Sequence, residues 1–408
     1  MPALLRQRNY ALLWLAGLVS LVGDWVVVGA LPFYVYERSG SPLATAGMLV
    51  ALSLPHVLLG SVAGVFVDRW DRRRAMVACD VGRALALLPL LAVPATGAIW
   101  LVYVVGFLEQ SCSAFFGPAK GALLPRVVAR DDLVSANALA SVGDAVGRLV
   151  GPSLGGVLVY ATGLGSVVLV DSASYLASAA LLAMMALPPD AVPDTPEVVG
   201  AASARWRAFW EDWRRGLGTI RADRTLAALL LILGIQNAAD SVNSSLIPTF
   251  VRDVLGGDAR AFGWLLTAQG VGGLAGGLLI ARVARLIAPV PMLAACLGLA
   301  GVTLQTILHF PYLALVLPLV AAIGFPAVGM NASAQGLLQG AAPDAFRGRV
   351  LGAFAATQML LRLLGYAAGG AAGDALGAVP VLEVAYSLWL VAALLVIVLL
   401  RPCRLGDS

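Results

Sequence analysis

Apolar runs long enough to cross a hydrocarbon layer follow one another along the chain, parted by short polar clusters. A helix spanning ~30 Å of hydrocarbon needs about 20 such residues. Six runs stand in the first half: Tyr10 to Tyr36, Leu43 to Val67, Ala75 to Thr96, Ile99 to Phe116, Ala136 to Ala161 and Ser166 to Leu187. The pattern then breaks. From Pro188 to Arg224 the chain carries prolines, acids and six arginines, with Trp206, Trp210 and Trp213 interleaved. That composition predicts a linker ending in an amphipathic helix that lies along a membrane surface. Six further runs follow: Thr225 to Val251, Phe262 to Ala281, Val290 to Leu308, Tyr312 to Leu338, Val350 to Leu376 and Val379 to Leu400. The expected organisation is a six-helix bundle over residues 1–187, a cytoplasmic linker over 188–224 and a second six-helix bundle over 225–408.

Composition agrees with an all-α membrane protein. Of 408 residues, 60% are hydrophobic and 12% charged, about half the charge fraction of a soluble domain, which excludes a water-soluble globule. The four cysteines (Cys79, Cys112, Cys296 and Cys403) are scattered without a CxxC step, so neither a disulfide framework nor a metal site is expected. His56 and His309 stand alone and are read as packed residues. The first run contains Asp24 and lacks a small-residue cleavage site, which reads as an uncleaved first helix.

The net charge of +4 belongs to membrane topology rather than to a nucleic-acid partner. Cytoplasmic loops hold an excess of Lys and Arg. With the N-terminus inside, that face receives 22 of the 27 basic residues, Arg83 and Lys120 among them. The other face receives Arg38, Arg252 and Arg260, and Arg148 and Arg362 fall inside the bilayer. Both termini are therefore expected in the cytoplasm.

The two halves repeat. A displacement of 216 positions superimposes Asp24 on Asp240, Pro32 on Pro248, Gly47 on Gly263, Gly60 on Gly276 and Arg69 on Arg285. A displacement of 214 matches Arg148, Gly151, Gly155 and Gly156 with Arg362, Gly365, Gly369 and Gly370. Parallel repeats of this kind place a binding site near the bilayer midplane, between halves that rock to expose it to each side in turn.

Between the second and third runs stands Gly64-Val-Phe-Val-Asp68-Arg69-Trp70-Asp71-Arg72-Arg73-Arg74. It resembles the loop signature of the major facilitator superfamily, Gly-x-x-x-Asp-Arg followed by a basic pair, and the resemblance extends over essentially the whole chain. Asp71 replaces the family's usual glycine. The resemblance implies the major facilitator fold, twelve transmembrane helices in two pseudo-symmetric six-helix bundles. Physically, Gly64 lets two helices approach closely, and Asp68, with Arg69, Arg72 and Arg73 beside it, can face the positive N-terminal end of the eleventh run near Phe346 and Arg347 as a conformational latch. The plainer alternative is a positive-inside loop.

The fifth run contains Gly147-Arg148-Leu-Val-Gly151-Pro152-Ser-Leu-Gly155-Gly156. This is similar to the Gly-x-x-x-Gly-Pro-x-x-Gly-Gly element that accompanies exporters working by antiport. Small residues four apart give a smooth packing face and Pro152 kinks the helix, so an ordinary packing seam is the competing reading. Gly23-Asp24-Trp25, Leu124-Pro125-Arg126, Ser135-Ala136-Asn137-Ala138-Leu139 and Phe346-Arg347-Gly348-Arg349-Val350 narrow the resemblance to the branch of macrolide efflux pumps and the enterobactin exporter.

Ionisable groups inside a bilayer cost ~2.5 to 3.5 kcal/mol on insertion scales, so they face a cavity, pair or titrate. Asp144 and Arg148 are four apart on one helical face, which fits a structural ion pair and a functional couple equally. Asp24 has no basic neighbour at helical spacing and leads the proton-carrier candidates, against the alternative that it only bonds to a neighbouring helix. Glu109 stands where many drug antiporters of the superfamily carry an arginine; here the run reads Leu108-Glu109-Gln110-Ser111, so that arginine's relay role does not transfer. Glu109 is a candidate for the proton, for a cationic cargo, or for neither. Asp240 is a secondary candidate as the repeat mate of Asp24, and Asp171 and Asp374 are expected near the outer ends, hydrated. Trp25, Phe33, Gln236, Asn237, Asn243 and Gln269, with Trp14, are candidates to line a large, mostly apolar cavity, although aromatic residues at helix ends also form interfacial belts.

No Walker A loop, nucleophile elbow or zinc-protease motif occurs, so the expected molecule is not an enzyme and needs no cofactor beyond a proton gradient. The expected function is a secondary antiporter of a bacterial inner membrane. Acting as a monomer, it exports hydrophobic or amphiphilic small molecules such as macrolides or siderophores. An importer or lipid translocator on the same fold, and a transport-inactive membrane sensor or scaffold, are the alternatives.

Overall fold

The computed structural model describes residues 4–186, 201–343 and 346–400, and their side chains except at 61–69, 201–209, 212 and 281. Each of the twelve apolar runs has a helix. In the first half these are α1 (Arg8–Ser39), α2 (Pro42–Arg69), α3 (Arg72–Leu87), α4 (Trp100–Val127), α5 (Leu133–Thr162) and α6 (Leu164–Ala183). The linker ends in α7 (Ala201–Ala222). The second half contributes α8 (Arg224–Thr249), α9 (Ala259–Val283), α10 (Pro289–His309), α11 (Leu313–Ala341), α12 (Arg347–Leu376) and α13 (Ala378–Leu399).

The third run is not one continuous α-helix. α3 stops at Leu87 and gives way to a 3-10 turn over Leu88–Ala92 and a short helical turn over Val93–Thr96. Pro89 and Pro94 each lack the amide that would continue the ladder. The fourth run is longer than its apolar stretch, because α4 continues through Pro118 and Pro125 to Val127. Among the described residues, eleven helices are long and apolar enough to cross a membrane, and the 28-residue α4 is not one of them. Glu109, Gln110, Ser111 and Ser113 occupy its middle.

Two compact units form. One consists of Met1–Gly40, Gly47–Val199 and Gly257–Thr267; the other of Ser41–Ala46, Gly200–Gly256 and Ala268–Ser408. Within the first, α1 packs on α5 and α6, and α3 packs on α4 and α6. Within the second, α8 packs on α12 and α13, and α10 packs on α11 and α13. The two contact patterns are the same once α1 is matched to α8, α3 to α10, and so on, which makes the sequence repeat a structural one. It reaches the turns: Gly163, with φ +81°, and its repeat mate Gly377, with φ +84°, adopt backbone that side-chain-bearing residues rarely adopt.

α7 is amphipathic as its pattern predicts, and it is docked within the second unit against α12. The Trp213 indole donates to Thr357 Oγ1 at 3.3 Å. Gly216 lies so near Arg349 and Ala353 that a Cβ there would overlap both. Linker residues 188–200, and the side chain of Trp206, lie outside the described residues.

Candidate functional site

The first unit encloses a connected set of polar side chains drawn from four helices. α3 contributes Asp80 and Arg83, one turn apart, 0% and 2% exposed, and joined as an ion pair. A buried arginine and aspartate at i,i+3 neutralise each other within one helix, which is how two charges survive in an apolar interior. α4 supplies Ser113, whose hydroxyl accepts from Arg83 Nη1 at 3.1 Å. α6 supplies Ser178, which donates to Asp80 Oδ2 at 2.6 Å. The Arg83 guanidinium lies over two rings, 4.2 Å from the centroid of Tyr175 and 4.6 Å from that of Phe116.

Tyr175 connects this pair to the acids. Its hydroxyl is 2.6 Å from Asp24 Oδ1 on α1 and 2.9 Å from Glu109 Oε1 on α4. Glu109 also receives the Gln110 amide at 2.7 Å and the Ser113 hydroxyl at 3.4 Å. Asp171, beside them on α6, accepts from Ser174 Oγ at 3.2 Å. Gly23 leaves room for them: a Cβ at that position would displace the Asp171 and Ser174 side chains. Glu109, Asp171 and Tyr175 are buried, whereas Asp24 is half-buried. Asp24 is thus the more exposed of the two acids on Tyr175, and Glu109, 7% exposed, the more buried.

Several expectations change at this point. Arg83 and Lys120 were assigned to the cytoplasmic face by charge alone. Arg83 is instead interior, and half-buried Lys120 lies on the extended part of α4, in the field of Asp144 and Asp24. The place a Cβ on Gly17 would occupy is 2.8 Å from Lys120 Nζ. Asp171 is buried, not hydrated at a helix end. Asp144 and Arg148 do share a face of α5, yet among the described residues no ion pair joins them. The Arg148 guanidinium instead lies 5.1 Å over the Trp25 ring, a cation–π contact. Asp374 is exposed near the end of α12, as expected, and also accepts from Ser41 Oγ at 2.9 Å within the second unit.

The antiporter-type glycines form a packing seam. Cβ atoms at Gly147 and Gly151 would meet Trp25, and one at Gly155 would meet the Val26 carbonyl, all on α1. Pro152 lies against Gly29 and Gly263, and Gly156 against Ala259. Phe33 is 0% exposed and stacked on Phe262 at 5.9 Å.

The loop motif is described only in part, since the side chains of Gly64, Asp68 and Arg69 lie outside the described residues. Asp71, where the family has glycine, caps α3 by accepting from the Arg74 amide at 2.7 Å. Arg73 Nη1 donates to the Met185 carbonyl at 2.5 Å. Arg72 stands in the first turn of the same helix.

In the second unit, Asn237 on α8 donates to the Gln358 carbonyl at 2.6 Å and accepts from Arg362 Nη2 at 3.3 Å. Tyr386 donates to Asn243 Oδ1 at 2.7 Å. Asp240, half-buried one turn from Asn237, lies in the field of Arg362. Gln236 is half-buried on α8 and Gln269 exposed on α9. The structure therefore gathers Asp24 with Glu109, and Asp240 with Asn237, in separate units.

Two concavities belong to the first unit. An apolar groove of about 1070 Å³ between α3 and α4 is lined by Trp70, Arg74, Cys79, Leu85, Cys112 and Phe115, among others, and by none of the six residues chosen as cavity lining. A smaller pocket of about 240 Å³ between α1, α4 and α5 is lined by Tyr10, Trp14, Lys120 and Asn137, among others.

Asp80, Arg83 and Tyr175 were not singled out from the sequence. The i,i+3 spacing of Asp80 and Arg83 inside an apolar run was a usable signal. Nothing local marks Tyr175, whose role comes from helices far apart in the chain.

The family model described as transmembrane secretion effector matches residues 2–406. Multidrug efflux pump Tap of Mycolicibacterium fortuitum is 28% identical over 382 residues, covering 90% of this chain and 89% of its own. Macrolide efflux protein A of Streptococcus pyogenes is 22% identical over 300 residues, covering 73% and 72%. Among solved structures, a bacterial homologue of the iron transporter ferroportin in its inward-facing state superimposes with a TM-score of 0.75 at 16% identity, over 96% of this chain and 98% of that one. That likeness concerns the fold. The chain is a multi-pass membrane transporter of the major facilitator superfamily, and within it belongs to the transmembrane secretion effector family.

Proposed function

We propose that the protein is a proton-coupled exporter of hydrophobic or amphiphilic small molecules, working by alternating access in a bacterial inner membrane. On this reading both termini are cytoplasmic and the monomer is the working unit. The observation that carries it is the acid set of the first unit, with half-buried Asp24 linked through Tyr175 to buried Glu109. A carboxyl that is partly accessible and hydrogen-bonded inward can take a proton in one state of the transporter and release it in another, while a fully hydrated carboxyl gives the protein no such control. Support for outward transport comes from relatives named as efflux pumps, Tap and macrolide efflux protein A. The Gly-x-x-x-Gly-Pro-x-x-Gly-Gly spacing on α5 supports an antiporter by resemblance, while the seam it forms is equally that of ordinary packing. Each charge moving down ~100 mV gains about 2.3 kcal/mol, enough to drive uphill export.

The test is flux in everted membrane vesicles, with a panel of macrolides, siderophores and lipophilic cations and an imposed pH gradient. Export that rises with the gradient is expected in the native protein, together with loss of gradient-driven flux in Asp24→Asn at unchanged membrane insertion. Gradient-independent flux in the native protein, or unchanged pH-dependent flux in the variant, overturns the reading.

A further inference from the structure

Tyr175 poses a problem of hydrogen counting. A phenol carries one hydrogen and an ionised carboxylate carries none. The Tyr175 oxygen is 2.6 Å from Asp24 Oδ1 and 2.9 Å from Glu109 Oε1, both hydrogen-bond distances. The phenol hydrogen satisfies one of these contacts. The other brings two oxygens together with no hydrogen between them unless a carboxyl supplies it, and lone pairs held face to face in a buried site are costly.

The other donors around the acids do not remove the need. The Gln110 amide bonds to the far oxygen of Glu109, and Ser113 reaches Glu109 Oε1 only at 3.4 Å. The surrounding charges point the same way. On α3, Arg83 pairs with Asp80 and lies as well in the field of Asp24 and Glu109. On α4 and α5, Lys120 lies in the field of Asp144 and Asp24 together. On α6, Asp171 adds a further acid, bonded to Ser174. Five acids, Asp24, Asp80, Glu109, Asp144 and Asp171, face the two cations Arg83 and Lys120, so the surplus includes the two carboxyls that Tyr175 joins.

We propose that Asp24, Tyr175 and Glu109 hold one proton in common, and that the Tyr175 hydroxyl passes it between the half-buried carboxyl and the buried one. The transfer balances at every atom. The O–H bond of the Asp24 carboxyl breaks as the phenol oxygen accepts that hydrogen, while the phenol's own hydrogen moves to Glu109 Oε1. The phenol is restored, the total charge is unchanged, and acid and carboxylate have exchanged places. Tyr175 is the relay that extends the coupling site from one carboxyl to two. The Arg83 guanidinium stacked on its ring, and the Ser113 contact to both Arg83 and Glu109, hold the hydroxyl in line. The proposal rests on the reading of Asp24 as the coupling carboxyl.

Infrared spectroscopy of the purified full chain in lipid vesicles at neutral pH tests it through the C=O stretch of a protonated carboxyl, identified by its shift in heavy water. Native protein is expected to show this band, and Asp24→Asn and Glu109→Gln are each expected to abolish it, because the proton belongs to both. Tyr175→Phe keeps both acids and the ring over which Arg83 stacks; it should retain a band but move its frequency to that of a carboxyl without the phenol bond. A band that survives Asp24→Asn or Glu109→Gln, as a proton held on Asp171 would give, a band unmoved in Tyr175→Phe, or no band in native protein overturns the proposal. The acid variants carry the test on their own should Tyr175→Phe not fold. Vesicle flux separates the two readings. The shared-proton signature without gradient-driven export sinks the coupling and keeps the bridge; gradient-driven export with a band indifferent to Glu109→Gln sinks the bridge and keeps the coupling.

Discussion

Arg83 illustrates what a single residue can do in a bundle that has no water to offer it. Its charge is met by Asp80 on its own helix, its ring-stacking by Phe116 and Tyr175, and one guanidinium hydrogen bond by Ser113. Removing one partner of such a pair leaves an uncompensated buried charge, which costs about 3–5 kcal/mol, whereas replacing both by apolar residues of similar size is nearer neutral. Arg83→Met alone is therefore expected to lower thermal stability in detergent markedly, and Asp80→Leu combined with Arg83→Met to recover most of the loss. Equal destabilisation by the single and double variants would show that the arginine's packing on Tyr175 matters more than its charge. The sequence pointed to Asp24 and Glu109 as intramembrane acids, because a charge inside an apolar run is visible without coordinates. It misplaced Arg83, because a count of positive charge says which end of a run a residue is near and not which way round the helix it points.

At the scale of elements, the glycines of α5 decide how closely α1 can lie. A Cβ on Gly155 would run into the main chain at Val26, which cannot rotate away as a side chain would. Overpacking of this kind typically costs about 1–3 kcal/mol. Gly155→Leu should lower the melting temperature of the detergent-solubilised protein accordingly. Gly336→Ala on α11, where a Cβ meets open space, should leave it unchanged or slightly raised. Equal effects at the two positions would remove the seam as an explanation for the motif. The seam was legible as spacing, but its partner was not: four-residue periodicity announces a smooth face without saying what lies against it. α4 shows the converse. Its polar middle, the feature that weakens its hydropathy, is what it contributes to the acid set, and its continuation past Phe116 keeps Lys120 on the helix. α7 was legible as an amphipathic helix; that its partner includes α12 is a matter of tertiary packing.

For the whole molecule, the repeat carries the architecture. The same pairing of helices occurs in each unit and the same unusual glycine conformation closes the fifth helix of each. The proposed orientation in the membrane rests on the distribution of arginine, and it has a direct check. With the four native cysteines replaced by serine, Asp131→Cys should react with a membrane-impermeant thiol reagent only in everted vesicles, and Gly257→Cys only in intact cells. The reverse pattern would invert the topology. The sequence by itself determined the number and order of the helices, the repeat and the family, since each is written in composition, spacing or local motif, and local physics suffices to read them. Tertiary structure alone decided which charges meet. Asp24 and Glu109 are 85 positions apart in the chain, and the tyrosine that joins them comes from a third helix. A hydrogen bond across helices depends on rotation and depth, and no one-dimensional pattern records either.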